Sequence, residues 1–337
     1  MNKNKFVYTG FLNIYKEAGF TSHDVVAKLR GMLRQKKIGH MGTLDPEAEG
    51  VLPIALGGAT KAIALLEDHT KEYDATLVLG ICTDTYDMSG KVLQVKTVKV
   101  SEDEVCTVLE SFLGEQMQIP PMYSAKKQNG RKLYELARAG IVVERQAVPI
   151  YIDEISILSV DLPYVRMHIS CSKGTYIRSL CHDIGAKLGC GGCMQDLVRT
   201  RAGQFVLDTA VRLSEIQRRI DYGEDWTELV LATDCAFFSL PALLCDEQAR
   251  KRAVNGNPLW KSDLHALQIT EKGITDQNII NATGDNNIRQ KYKVDVCDTK
   301  NHHVAKDDLY RIYIDKNKFL GIYTRSGNKF LPRKVFI

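Results

Sequence analysis

The sequence predicts an α+β protein, with one larger domain over about residues 1–235 and a small β-rich domain over 240–337. Three observations predict it. Runs with a two-residue apolar period, such as 72–80 and 165–171, lie between runs with a helical stripe, such as 21–34 and 176–188. The composition changes after Leu213: a polar, helical stretch runs to about Leu240, and short strands and turns follow from Pro241. The length, 337 residues, corresponds to two domains at roughly 150 residues each.

The first helix is expected over 21–34. Thr21 or Ser22 caps it, Val25, Val26, Leu29 and Leu33 form its apolar stripe, and Lys28 and Arg30 lie on the other face. A Gly-rich loop over 39–50 and a helix over 57–67 follow. Residues 72–80 alternate through Tyr73, Ala75, Leu77 and Leu79, which is a strand pattern. A second strand over 91–98 follows the turn Asp87-Met88-Ser89-Gly90, and 102–113 has helical spacing. Pro120-Pro121 breaks the chain. A turn at Asn129-Gly130 then leads to a short helix with Leu133, Leu136 and Ala137 on one side and Gly140 as its C-terminal stop. Two β segments are expected over 141–160. After the strand at 165–171, the turn at 172–175 offers Thr175 as N-cap to a helix over 176–188. That helix turns Ile177, Leu180, Cys181, Ile184 and Leu188 inward, and Gly189 ends it. Leu309 to Ile314 and Phe319 to Thr324 make a small β unit. No internal repeat or low-complexity tract is present.

Hydrophobic residues make up 44% and charged residues 26% of the chain, an ordinary globular composition. No run of 18 apolar residues occurs, so no membrane span is expected. The opening residues lack the apolar segment of a secretory signal. Nine cysteines, an odd number at irregular spacing, suit reduced thiols. These features point to the cytoplasm. The net charge is only +4, but it is clustered. Five bases and no acid lie between Val25 and His40. Six bases face two acids between Pro121 and Pro149, and eight face three from Lys306 onward. Such patches on a nearly neutral chain suit a polyanion held at several points. Any one of them alone equally suits a solvated helix face.

The segment Gly39-His40-Met41-Gly42-Thr43-Leu44-Asp45-Pro46 is followed by Glu47-Ala48-Glu49-Gly50-Val51-Leu52-Pro53. Pro46 biases Asp45 away from helical backbone, and Gly42 and Gly50 permit close backbone approach. This composition can hold a carboxylate rigidly in a cleft. A lone Asp before Pro is more often a turn residue.

Together with other blocks, in order, this loop resembles the bacterial tRNA pseudouridine-55 synthases, the TruB family, where 55 is a tRNA position. The blocks are 10–26 with Lys16, Gly19, Thr21, Ser22, His23 and Asp24; Leu56 to Lys61; Lys71-Glu72-Tyr73; and Leu79-Gly80 with Thr83 to Asp87. Pro120 to Lys127, Gly130 to Arg138, Cys171 to Arg178 and Leu197 to Gly203 complete them, so the resemblance covers about 10–205. It implies a pseudouridine-synthase catalytic domain with a mixed, mostly antiparallel sheet and an RNA-gripping lobe inserted over about 122–150. For 240–337 it implies, more loosely, a PUA-like RNA-binding domain. The implied reaction turns uridine 55 of the tRNA TΨC loop into pseudouridine, breaking N1–C1′ and joining C5 to C1′ after the base is flipped out. Asp45 is implied as the nucleophile and Arg178 as the cation that keeps it charged and oriented. Tyr73 is implied to stack on the base and move a proton late, with Leu197 and Tyr176 supporting the site. His40 would fill the space the base leaves, and Lys126, Lys127, Arg131, Lys132 and Arg138 would grip the T-stem. The reaction is redox-neutral and imports no group, so no cofactor is expected, and the sequence shows no dinucleotide or phosphate-binding loop. The expected partner is the tRNA T stem-loop, with no membrane, no obligate protein partner and a monomeric state.

Two departures from the family pattern stand out. Tyr15-Lys16-Glu17-Ala18-Gly19 stands where the family usually has Asp-Lys-Pro, and Cys193 stands where histidine is common. The resulting Cys190-x-x-Cys193 invites zinc, but a structural zinc needs four ligands. Cys181 and His182 fall on a helix explained by packing, and no second pair exists, so no metal is expected. Two rival functions remain. A tRNA-binding or tRNA-folding protein with secondary catalysis would tolerate changes at Asp45, Tyr73 or Arg178, and all three are intact. An Asp-nucleophile glycosidase needs two carboxylates at a set distance, and nothing pairs Glu47 or Glu49 with Asp45. Residues 261–303 match no known pattern.

Overall fold

The computed structural model describes residues 7–66, 70–128, 130–267 and 308–336. The chain begins with β1 (Gly10–Lys16), α1 (Ser22–Met32), β2 (Ile38–His40) and β3 (Glu49–Leu56), then a 3-10 helix over Gly57–Leu65. Next come β4 (Lys71–Leu79), β5 (Ile81–Thr83), β6 (Val92–Val95), α2 (Glu102–Glu110) and β7 (Gly114–Gln118). The small pieces β8 (Lys127–Gln128), β9 (Arg131–Lys132) and α3 (Leu133–Arg138) precede the long β10 (Val148–Asp161). Then follow β11 (Tyr164–Cys171), α4 (Ile177–Lys187), β12 (Gly192–Ala202), β13 (Phe205–Val206) and α5 (Leu213–Asp221). The last part holds β14 (Ala242–Cys245), α6 (Glu247–Val254), β15 (Leu259–Trp260), β16 (Leu264–Ala266), β17 (Leu309–Asp315), β18 (Lys318–Ser326) and β19 (Lys329–Val335).

Nine strands form the first sheet, in the order β1-β3-β12-β4-β11-β10-β7, with β2 beside β3 and β13 beside β12. Every pairing is antiparallel except β3 with β12, where Val198 and Arg199 face Glu49 and Gly50. Tyr73, Ala75, Leu77 and Leu79 of β4 point into one core. The stripes of α1 (Val25, Val26, Leu29), α2 (Val105, Leu109) and α4 (Ile177, Leu180, Ile184) cover it. Each fully buried leucine there, such as Leu29 or Leu52, contributes roughly 2 kcal/mol. The second sheet runs β15-β19-β18-β17-β14-β16. A separate core joins the two sheets: Phe11, Val51 and Ala55 pack with Ala236, Phe237 and Ile322. Among the described residues, no helix is long and apolar enough to cross a membrane.

Several elements differ from expectation for identifiable reasons. The Gly-rich loop is shorter than 39–50, because its two ends are β2 and β3. β3 was not expected: it is buried on both faces, so it reads as a continuous apolar run without alternation. It also contains Pro53, which normally marks a strand edge. The Pro53 carbonyl accepts from the Met41 amide at 2.9 Å, so its nitrogen faces the same edge of β3. There the partner changes from β12, at Glu49 and Gly50, to β2, at Ile54 to Leu56. The missing N–H falls at that changeover, just beyond the last β2–β3 pair, His40 with Ile54. β1, β7 and β12 were likewise not expected.

The 57–67 helix is a 3-10 helix, consistent with the low helix propensity of its leading Gly57-Gly58, and Glu67 lies outside the described residues. Strand 91–98 shrinks to an exposed ribbon with β5. The two β segments of 141–160 are one bulged strand, β10. Thr175 does not cap α4: its hydroxyl donates to the Ser172 carbonyl at 3.0 Å, and Tyr176 holds the N-cap position. Thr21 does cap α1, in a reciprocal box with Asp24. Gly140 closes α3, its amide donating to Ala137 while Ile141 donates to Leu136. Only α5 and two short 3-10 pieces occupy the helical joint after Leu213. Asn129, and 268–303 of the unmatched stretch, lie outside the described residues.

Candidate active site

The loop between β2 and β3 is tied down at its backbone. The Ser22 hydroxyl, at the start of α1, accepts from the Leu44 amide at 2.9 Å and donates to the Leu44 carbonyl at 3.2 Å. The Gly19 amide donates to the Pro46 carbonyl at 3.0 Å. Lys16 is fully buried, and its ammonium donates to the carbonyls of Glu17 (3.1 Å), Phe20 (2.6 Å) and Pro46 (2.9 Å). Burial pushes the Lys16 amine down to about 8, while the neighbouring charge of Asp45 opposes that shift. Arg199 of β12 is also fully buried. Its guanidinium donates to Val51 (2.7 Å), Gly42 (3.2 Å) and Thr43 (3.4 Å), all carbonyls within or bordering the loop. Gly50 makes this approach possible: it has φ +100°, and a Cβ there would lie 2.3 Å from the Arg199 carbonyl.

The Asp45 side chain extends from this frame and is 37% exposed, so one side faces open space. Arg178, in the first turn of α4 and only 5% exposed, donates through Nε to Asp45 Oδ2 at 2.8 Å. Its other nitrogens are occupied too. Nη2 donates to the Tyr123 carbonyl at 2.8 Å and Nη1 to the Thr85 carbonyl at 3.3 Å, with Asp87 Oδ2 3.6 Å from Nη1. One planar fork therefore joins the Asp45 loop, the 84–90 turn and the base of the 122–150 segment. Desolvation raises the Asp45 carboxyl above its ordinary range and the charge of Asp87 adds to this, while Arg178 and Lys16 oppose it.

The other sequence-predicted residues fall as follows. Tyr73 is buried on β4 opposite Arg199, whose positive charge bears on its hydroxyl. Burial pushes the phenol up to about 12. Leu197 is two residues before Arg199 on the same face, opposite Ala75. Tyr176 immediately precedes α4, and its backbone is held twice by Gln118: the amide donates to Oε1 at 2.8 Å, and Nε2 donates to the carbonyl at 3.1 Å. Burial also raises the Tyr176 phenol. His40 is half-buried at the end of β2, with its ring 6.2 Å from that of His23. Burial, then His23, lowers its pKa and favours the neutral imidazole. Lys126, Lys127, Arg131, Lys132 and Arg138 lie on the segment carrying β8, β9 and α3, which has a small core of its own (Met122, Leu133, Leu136). Lys132 and Arg138 both lie over the Tyr134 ring, at 5.3 and 5.4 Å.

Sequence reasoning assigned no part to Arg199, Asp87, Lys16 or Gln118. For Arg199 a signal exists: the two-residue period of β12 puts it on the face of Leu197. Lys16 and Asp87 stand in blocks of the family pattern without a role attached, and Gln118, which holds the Tyr176 backbone, has no such signal.

Residues 30–177 match the family model for the TruB family pseudouridylate synthase N-terminal domain, and residues 178–234 match that for the tRNA pseudouridylate synthase B C-terminal domain. The chain belongs to the TruB family. Among TruB-family relatives, the tRNA pseudouridine synthase B of Clostridium tetani (strain Massachusetts / E88) is 47% identical over 329 residues, 97% of this chain and 99% of that one. The protein of the same name from Clostridium novyi (strain NT) is 39% identical over 328 residues, again 97% and 99% of the two chains. A solved Cbf5-Nop10-Gar1 complex contains a chain 25% identical with a TM-score of 0.70, covering 98% of this chain and 85% of that one. The two departures from the TruB pattern are accommodated locally. Glu17 forms an ion pair with Arg212, and Cys193 is buried with its sulfur 3.4 Å from that of Met88. Among the described residues, no group of three or more His, Cys, Asp or Glu side chains could hold a metal ion.

Proposed function

We propose that the protein isomerises uridine to pseudouridine at position 55 in the TΨC loop of tRNA, with Asp45 as nucleophile. The observation that carries this reading is the Arg178–Asp45 pair at 2.8 Å on a loop clamped by Arg199, in a TruB-family chain. Ionised Asp45 attacks the flipped nucleoside, at C1′ or at C6 of the ring. The N1–C1′ bond breaks, C5 joins C1′, C5 loses its proton and N1 gains one. Arg178 keeps the carboxylate charged and aimed as water is excluded. Tyr73 packs against the base beside Leu197 and Tyr176. Its phenol holds its proton at neutral pH, so any proton step through it depends on Arg199, the cation placed to stabilise a phenolate. His40 enters the space the base vacates, and the bases of the 122–150 lobe bind phosphates of the T-stem. The reading includes a cofactor-free monomer acting in the cytoplasm, with tRNA as its partner. Sedimentation of the enzyme with one tRNA per chain tests the monomer.

The deciding experiment incubates the protein with unmodified tRNA and maps pseudouridine along it. Conversion in the T-loop is expected, with turnover abolished in Asp45→Asn while tRNA binding persists. Robust conversion by Asp45→Asn would remove Asp45 from the chemistry, and conversion confined to other positions would overturn the substrate site.

A further inference from the structure

The second sheet carries a feature that the Asp45 cleft does not use. The sequence has two tryptophans. Trp226 is buried at 8% exposure, whereas Trp260 at the end of β15 is 45% exposed. Beside Trp260 is an open depression of about 510 Å³ lined by Trp260, Lys261, Ser262 and Asn328. Its walls are fixed by the backbone: the Lys261 amide donates to the Asn328 carbonyl at 2.9 Å, and Trp260 is in register with Lys329. The Lys329 ammonium sits 4.5 Å over the indole ring. Trp260 lines the depression and Lys329 does not. The Arg325 guanidinium lies against the same β18–β19 turn, donating to the Gly327 carbonyl at 3.2 Å. The adjoining carboxylate, Asp263, is already engaged, accepting from Arg252 at 2.9 Å and from the Trp260 amide at 2.7 Å.

We propose that this depression is a second RNA contact, taking one unpaired nucleotide of the tRNA outside the T stem-loop. The base stacks on Trp260, and its phosphate lies between Lys261 and Lys329. A partly exposed indole flanked by Lys261 and Lys329 is the chemistry that holds single-stranded nucleotides. The Ser262 hydroxyl and the Asn328 amide offer both donors and acceptors to a base edge. An apolar protein partner would leave Lys261, Arg325 and Lys329 uncompensated, so the charge favours RNA. The proposal rests on tRNA being the substrate.

The test uses the full chain, an unmodified tRNA transcript and an isolated T stem-loop RNA. Transcript binding should quench tryptophan emission. Trp260→Phe should remove that quench and keep affinity within about twofold, since a phenyl ring still stacks. Trp260→Ala should weaken transcript affinity by roughly tenfold, while turnover on the isolated stem-loop stays at the wild-type rate, which also reports an intact fold. The proposal is overturned if the quench survives Trp260→Phe, if Trp260→Ala binds the transcript normally, or if the stem-loop is affected as strongly as the transcript. A Trp260-dependent dimer in the absence of RNA would overturn it too. Wild-type protein that binds the transcript with the quench but forms no pseudouridine would count against the catalytic reading and not against this one.

Discussion

At the scale of single residues, the site sets opposing influences on one carboxylate. Desolvation and Asp87 raise the Asp45 pKa, and Arg178 and Lys16 hold it down, with the net effect upward from the usual 3.8. In the proposed mechanism only ionised Asp45 attacks, so the rate should fall as pH drops through this raised value. The acid limb of kcat/KM should therefore lie above 3.8. Asp87→Asn removes a negative neighbour, lowers the Asp45 pKa and should move that limb to lower pH; a pH–rate profile checks it, and an upward move would contradict the assignment. Arg178→Lys should lose at least about a hundredfold in kcat. An ammonium can replace the charge at Asp45 but cannot also reach the carbonyls of Thr85 and Tyr123. Single-turnover rates measure this directly, and near-normal values would remove the fork from the mechanism.

At the scale of elements, β12 is the part on which the site depends. Arg199→Met would leave the carbonyls of Gly42, Thr43 and Val51 without their donor and should destabilise the fold by about 3 kcal/mol. Denaturant unfolding tests this; a loss below about 1 kcal/mol would mean that other bonds hold the loop. β12 also shows how much could be read from the sequence. Elements that alternate or carry a capping signal were legible: β4 through Tyr73 to Leu79, β11, and α1 with Thr21 at its start. The pair Asp45 and Arg178 was legible only as motif, because the 132 positions between them are closed by the sheet. Elements buried on both faces were not legible, because their spacing carries no face preference, and β3 with its internal proline is the clearest case. Asp87, Lys16 and Gln118 received no role for another reason: each acts by holding backbone or by its field, and even where Lys16 and Asp87 fall inside a motif block, the motif does not name that action.

At the scale of the whole molecule, tRNA binding should be governed by salt. If each of the five lobe bases neutralises one phosphate, log affinity should fall against log salt with a slope of about −4. Lys126→Gln with Lys127→Gln should reduce that slope by about 2, read by filter binding at several ionic strengths. A flat response would mean that the lobe does not grip phosphates. The pairing of β3 with β12 has a further consequence, which concerns synthesis. Val51 and Arg199 are joined across 148 positions. At translation speeds of about 5–20 residues per second, the nascent chain exposes one edge of this apolar strand for roughly 7–30 seconds before the mate emerges. During that interval the nucleophile has been made but its site has not. The site is therefore incomplete until β12 has been made, and until then the open edge of β3 is exposed to misassembly.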